Sequence, residues 1–356
     1  MRVGILTFPK SPSFGASLQM FGLYQALNSL GVDAEIINYR NTYMTQKRHI
    51  VSHRSNPLKS MVLSVIDLPE KIKFKKFEQQ LEIYPKRIIC EKDDLQDIAN
   101  RYDFLICGSD QVWNPNITGE DLNYFFSFCQ HNTKKISYAA SFGVNELNPE
   151  FSQKVKEQLT LFRSISVREE QGAEIVSGLL GKSCDIVLDP SMLISKTIWR
   201  SFEKKVNGLP PRYIAKFIFN HDEVIDQKIA ELSKKSGLPV VTVGGNLFSK
   251  FKKGIYTGPI GPNEWLYVLD NADYVVTDSF HGAAFSIIFN KNLYVSLASS
   301  TNSRLITLVN TFGLNDCILC EKMHKEEINY QIVQKIMDEK KEKSYRFLKN
   351  ALGIAD

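Results

Sequence analysis

The stretch Asp273–Asn290 constrains this chain more than any other. Tyr274, Val275, Val276 and Thr277 form an aromatic and β-branched run, the pattern of a strand buried in a parallel sheet. The run passes through Asp278-Ser279-Phe280-His281-Gly282 and continues with small and apolar residues at helical spacing. A buried strand that turns directly into a helix belongs to an open α/β sheet, and in such sheets ligands gather where the strands end. Of the six histidines, His281 alone is placed at such a turn, which makes it the leading candidate for a working residue.

The same alternation runs through the rest of the sequence. Residues 2–8 read as a strand, 16–29 as a helix and 32–39 as a second strand, a unit that implies a parallel sheet. Gly15 opens that helix, where backbone N–H groups suit an anion; close helix–sheet packing explains the glycine equally well. A strand over 102–108 ends in Gly108–Pro115. Ser109, Asp110, Gln111 and Asn114 there suit hydrogen bonding to a polyhydroxylated ligand, with Trp113 as a stacking wall. An Asx-turn at Asp110 with Trp113 in the core stands beside that reading. Strands are expected near 135–140 and 164–168. Arg168 closes the second, with an ion pair to Glu169 or Glu170 as its plain alternative role. Pro190 marks a boundary, because the residue before proline resists helix. Beyond it the alternation restarts, with strands at 212–220, 238–245 and 293–297 and a helix from Asn302 that carries Arg304.

The predicted fold class is therefore α/β, with two doubly wound, Rossmann-like domains facing a cleft. The expected division is 1–195, 196–323 and a Lys/Glu-rich helical tail at 324–356. A length of 356 residues is too great for one comfortable core, which agrees with two domains. A net charge of +5 is mild for this length. It does not argue for nucleic acid, and it fits an anionic small substrate or an anionic membrane surface. No apolar run approaches the roughly 18 residues of a membrane span, and Met1–Phe8 reads as a first strand, so a cytoplasmic location is expected. Cys90, Cys107 and Cys129 sit in apolar runs, as reduced buried thiols do, and Cys317-Ile318-Leu319-Cys320 lacks a second pair, so no metal site is expected. Residues 40–77 carry nine basic side chains against Asp67 and Glu70, around the apolar stretch Met61–Ile66. This segment reads either as a solvated helical excursion or as a peripheral membrane contact.

Several stretches, in order, resemble the polysaccharide pyruvyltransferase family. They are Ser13–Gln19, Gly108–Pro115, Ser166–Glu169, Leu188–Ser191, Thr277–Gly282 and Ser303-Arg304. The resemblance implies a GT-B-like pair of α/β domains and transfer of pyruvate from phosphoenolpyruvate onto two hydroxyls of a sugar, giving a cyclic ketal. It implies no cofactor beyond phosphoenolpyruvate as co-substrate. The acceptor would be a sugar in a cell-surface polysaccharide precursor, lipid-linked or free. In that chemistry the methylene carbon of the donor is protonated, so the site needs a general acid, a cationic clamp and a polar acceptor pocket. His281 takes the acid role, with its charged form favoured by the donor phosphate, and Asp278 orients the ring. Arg168 and Arg304 clamp the donor, aided by Ser279, Gly282 and Ala283. Gly15, Ser109, Asp110, Gln111 and Asn114 face the acceptor. The chain departs from the family's pattern at Ser13, where Asn is frequent, and at Ser279, where some members place Arg. Two rival readings are a GT-B glycosyltransferase using a nucleotide sugar and a non-catalytic glycan-assembly protein.

Overall fold

The computed structural model describes residues 1–44, 66–90, 92–129, 134–220, 222–245, 254–297, 303–319 and 327–355. In chain order the first elements are β1 (Arg2–Leu6), α1 (Phe14–Ser29), β2 (Asp33–Tyr39), α2 (Leu68–Glu78), β3 (Ile83–Ile89), α3 (Lys92–Ala99) and β4 (Phe104–Cys107). They are followed by β5 (Lys135–Ala140), α4 (Pro149–Leu159), β6 (Ser164–Val167), α5 (Glu170–Leu180) and β7 (Asp185–Ile186). Next come α6 (Lys196–Ser201), β8 (Ile214–Phe217), α7 (Glu223–Ser236), β9 (Val240–Thr242), β10 (Ile255–Tyr256), α8 (Pro262–Asp270), β11 (Tyr274–Thr277) and α9 (Phe280–Ile288). The chain closes with β12 (Asn292–Val295), α10 (Ser303–Thr311) and α11 (Tyr330–Leu352).

The chain divides into two compact units. The first takes in Met1–Ser60, Glu78–Leu193 and Glu339–Asp356, and the second Met61–Phe77 and Ile194–Asp338. Two segments fall elsewhere than the sequence suggested. The described part of 61–77 goes with the second unit, and the C-terminal tail is divided within α11 instead of standing alone. The first of these has a visible cause. Phe74 and Phe77 on α2 are buried. The ammonium of Lys73 donates to the carbonyl of Pro259 at 3.0 Å and pairs with Glu264 at 3.3 Å.

The first unit is built on a seven-stranded sheet in the order β3-β2-β1-β4-β5-β6-β7, and every pairing is parallel. Residues 15–23 of helix α1 are all buried, so this part of the helix has no solvent-facing side, and only its end, with Asn28 and Ser29, is exposed. Gly22 permits that enclosure, because a Cβ there would lie 2.6 Å from the carbonyl oxygen of Pro190. The core of this unit stacks Trp113 on Phe125, with ring centroids 5.0 Å apart.

The second unit holds a five-stranded parallel sheet in the order β10-β9-β8-β11-β12. Helix α7 follows the expected pattern, with Ile225, Ile229 and Leu232 buried, Asp222 accepting from the N–H of Val224 at its start and Gly237 in the left-handed conformation at its end. In each sheet the strand order reverses at one place, between β1 and β4 in the first and between β8 and β11 in the second. Loops leaving the carboxyl ends of the two strands at a reversal run apart and open a crevice for ligand. Among the described residues no helix is long and apolar enough to cross a membrane.

Candidate active-site residues in each unit

In the second unit the candidate histidine sits at the reversal point. Thr277, the last residue of β11, turns its hydroxyl inward, where it donates to the carbonyl of Phe217 on β8 at 2.7 Å and accepts from the N–H of Ser279 at 3.0 Å. Ser279 is the N-cap of α9, its hydroxyl accepting from the N–H of Gly282. His281 therefore lies in the first turn of α9, 8% exposed, with its ring edge-to-face against Phe280. Gly282 is required by close approach, since a Cβ there would stand 2.3 Å from the hydroxyl oxygen of Thr277.

Two expectations for this turn need correction. The N–H groups of Gly282 and Ala283 are not presented to a donor phosphate: Gly282 donates to the hydroxyl of Ser279 and Ala283 to its carbonyl. A well-capped helix uses these donors itself. The carboxylate of Asp278 does not orient the imidazole. It accepts from the N–H of Phe219 at 2.9 Å and from the N–H and side-chain amide of Asn220 at 2.8 and 2.9 Å. Asp278 thus ties the loop after β11 to the loop after β8, across the reversal. The tie holds Phe219 in place, and Phe219 is 66% exposed although its neighbour Phe217 is buried. An exposed ring at a reversal point was not read from the sequence, where 212–220 reads as one strand. Arg304 lies in the first turn of α10, half-buried, following β12, which pairs with β11. Lys216, mid-strand on β8, pairs with Asp226.

In the first unit the other candidates follow the carboxyl ends of β1, β4 and β6. Gly15 is buried near the start of α1, behind the cap of Ser13. Ser109, fully buried, donates its hydroxyl to Asp189 at 3.0 Å. Asn114 spends its side chain locally, its amide donating to Gln111 at 2.7 Å and its oxygen accepting from the N–H of Asn116. Trp113 belongs to the core, its indole N–H donating to the carbonyl of Tyr124 at 3.1 Å. Asp110 stands out in this loop. Its φ of 81° is a left-handed value that non-glycine residues seldom adopt, and one carboxylate oxygen accepts from the N–H of Gln111 at 2.8 Å. Its side chain is half-buried.

Arg168 is enclosed rather than solvent-facing. It lies in a network whose side chains are at most 2% exposed, 2.8 Å from Asp189 and 3.6 Å from Glu169. Burial alone would lower the guanidinium pKa, and the carboxylates of Asp189 and Glu169 outweigh burial and raise it, so the charge is permanent. Asp189 also accepts from the N–H and hydroxyl of Ser191, and Glu169 from the hydroxyl of Ser141 at 2.6 Å. The ion pair to Glu169 weighed as the alternative role of Arg168 is present, whereas Asp189 and Ser141 were missed as members of the group, although the run Leu188-Asp189-Pro190-Ser191 was visible as a motif.

The family model for polysaccharide pyruvyl transferase matches residues 14–298. The chain belongs to the polysaccharide pyruvyl transferase family. That span contains the Ser13–Gln19 turn from Phe14 onward, the 108–115 loop, the Arg168 network and the His281 turn, and it stops short of Arg304. No curated protein matches the chain in sequence. Solved structures share its fold. UDP-GlcNAc 2-epimerase from Methanocaldococcus jannaschii is 13% identical, with a TM-score of 0.54 over 95% of this chain and 92% of that one. A putative UDP-N-acetylglucosamine 2-epimerase from Listeria monocytogenes is 10% identical, with a TM-score of 0.53 over 98% and 90%. HepE of Anabaena, solved with UDP and glucose, is 10% identical, with a TM-score of 0.50 over 99% and 94%. At this identity the likeness speaks for fold alone, and it places this member of the family in the α/β, GT-B-like class.

Proposed function

We propose that this protein moves pyruvate from phosphoenolpyruvate onto two hydroxyls of a sugar in a cell-surface polysaccharide precursor, forming a cyclic ketal. The observation that carries the reading is the position of His281, in the first turn of α9 at the reversal point of the second sheet, inside the span matched by the family. In this reading His281 delivers a proton to the methylene carbon of the donor, turning it into a methyl group. One sugar hydroxyl adds to the adjacent carbon, inorganic phosphate leaves, and a second hydroxyl closes the ring. The two hydroxyl protons depart with phosphate and restore the imidazolium.

The roles of the other residues follow from their surroundings. Gly282 positions His281, and Ser279, whose hydroxyl accepts from Gly282, keeps its own hydroxyl hydrogen for the donor. Arg304, at the start of the next helix, supplies the cation for carboxylate or phosphate. Arg168, sealed against Asp189, acts by fixing Ser109 and with it the loop that presents Asp110 to acceptor hydroxyls. Phe219 offers an apolar wall beside the donor.

A peripheral membrane contact through 40–77 is also part of the proposal. Residues 45–65 lie outside the described residues. On α2, Lys71, Lys75 and Lys76 are exposed beside Leu68 and Ile72, which are 50% and 45% exposed. Lys73 is withdrawn from that face by Glu264. Neutralising Lys71, Lys75 and Lys76 is expected to release the protein from anionic liposomes, and unchanged co-sedimentation would remove this part of the reading.

The deciding experiment incubates the protein with phosphoenolpyruvate and a panel of free, lipid-linked and nitrophenyl sugars. Acceptor mass gain and released phosphate are measured together. The expected result is equal amounts of both, with His281→Ala slower by about 10²–10⁴-fold. Turnover of His281→Ala within about 10-fold of wild type would remove the acid assignment. Stabilisation by nucleotide sugars and not by phosphoenolpyruvate would instead favour glycosyl transfer.

A further inference from the structure

The first unit holds a cavity of about 480 Å³ at the amino ends of β6 and β7. It lies at the opposite end of these strands from Arg168 and the 109–114 loop. Four residues of β6 at ~3.3 Å each put ~13 Å between Ser164 and that end of the sheet. The volume is in the range of small-molecule sites.

The lining combines cations with apolar surface. Arg163, Lys182, Lys343 and Arg346 supply four cations against the single carboxylate of Asp185. Lys343 and Asp185 pair loosely at 3.5 Å, with both side chains about half exposed. Arg346 pairs with Glu342 one turn back on α11 with 62% of its side chain exposed, and an exposed pair of this kind costs little to exchange for another anion. Arg163 is fixed: its Nε donates to the carbonyl of Ala351 at 2.9 Å, and its guanidinium lies 5.6 Å from the centroid of the Phe104 ring. Phe162, Ile165 and Phe347 add an apolar wall to the same lining. Ser183 and Asn350 add neutral hydrogen-bonding groups.

We infer that this cavity binds an organic phosphate, its dianion among Lys182, Arg346 and Arg163 and its apolar body against Phe162, Ile165 and Phe347. An excess of cations over one carboxylate favours a multiply charged anion, and guanidinium groups suit phosphate by paired donors. The apolar wall favours an ester over inorganic phosphate. The site is separate from the proposed reaction centre and is suited to sensing a phosphorylated metabolite. An aromatic body points to a nucleotide-like source and an aliphatic one to a lipid-like source.

The test uses calorimetric titration of the full chain with inorganic phosphate, phenyl phosphate and hexyl phosphate. At least one of the two esters is expected to bind 10-fold or more tightly than inorganic phosphate, and the better one assigns the source. Lys182→Ala/Arg346→Ala is expected to weaken that ester by at least 10-fold while phosphoenolpyruvate binds as in wild type. Both replaced side chains are exposed, so the fold is kept, and an unchanged melting temperature without ligand checks this. Lys154→Ala, on an exposed pair elsewhere in the same unit, should leave ester binding unchanged. Failure of both esters to bind at millimolar concentration would overturn the inference. So would ester binding that the double variant leaves intact.

Discussion

Arg168 donates to Asp189 across 2.8 Å in a place closed to water, the two side chains being 1% and 0% exposed. The pair ends β6 and the segment after β7, and through Ser109 it reaches the loop after β4, so one guanidinium joins three carboxyl-end segments of the first sheet. Removing one partner of such a pair leaves the other charged in a dry environment, which costs about 3–5 kcal/mol. Arg168→Leu is expected to lose stability on that scale in denaturant unfolding. Arg168→Lys, which keeps the charge but not the planar fork, should lose less. Stability equal to wild type in Arg168→Leu would contradict the network as described.

A pair of carboxyl groups makes stability depend on pH. Glu203 lies beside Asp270 in the second unit. Burial first, and then the Asp270 charge, pushes the Glu203 pKa up from 4.5 to about 7. Asp270 moves the other way: burial would raise it, but Arg200, at 2.6 Å, and Lys291 outweigh burial and hold it down. The fold therefore favours protonated Glu203. That contribution is complete below pH 4.5 and is lost as pH rises through about 7. Melting temperature measured from pH 5 to 8 should fall across this window. Glu203→Gln, which mimics the protonated side chain, should flatten the fall and be the more stable protein at pH 8. An identical slope in Glu203→Gln would exclude Glu203 as its source.

Much of the architecture was legible because parallel strands carry long apolar runs and the helices between them carry a helical period. The 2–8, 102–108 and 273–290 stretches announce β1, β4 and the β11–α9 turn in this way. Strand β3 was not legible. It is the sheet's edge, and Ile83–Ile89 includes Pro85, Lys86 and Arg87 and is mostly solvent-facing, as edge strands are. At the candidate site, His281 could be read because a strand-to-helix turn fixes where the main chain lies. The aim of Asp278 could not be, because its partners Phe219 and Asn220 are some sixty residues earlier and reach it only once β8 pairs with β11. Arg168 and Asp189 likewise stood out as motif residues, but their mutual burial is a property of three assembled segments.

The close contact under His281 makes Gly282 unusually intolerant. A methyl group at Gly282 would meet the Thr277 hydroxyl at 2.3 Å and its Cβ at 3.0 Å. That hydroxyl is held from both sides, by Phe217 and by Ser279, so relief requires breaking a hydrogen bond or moving α9. Gly282→Ala is expected to cost about 1–3 kcal/mol as an overpacked site and to lower turnover by shifting His281. Adding Thr277→Ala, which removes the clashing oxygen, should recover part of the stability, so that the two substitutions are non-additive. Strict additivity in denaturant unfolding would mean that the two residues do not press on each other.

The tie from Asp278 to the loop after β8 separates two roles that predict different kinetics. A carboxylate orienting the imidazole would alter the pH–rate profile when replaced. A carboxylate holding Phe219 and Asn220 would loosen that loop and weaken binding with the profile unchanged. Its three hydrogen bonds, to the N–H of Phe219 and to Asn220 twice, favour the second role. Asp278→Ala is expected to cost about 1–2 kcal/mol, since hydrogen bonds to a charged group are worth more than neutral ones but this carboxylate is partly solvated. Amide exchange should quicken at Phe219 and Asn220. The KM for donor should rise several-fold, with the shape of the pH dependence kept. Asp278→Asn retains one acceptor oxygen and should lie between the two. A shifted pH–rate profile in Asp278→Asn, with amide exchange at Phe219 unchanged, would return Asp278 to the imidazole.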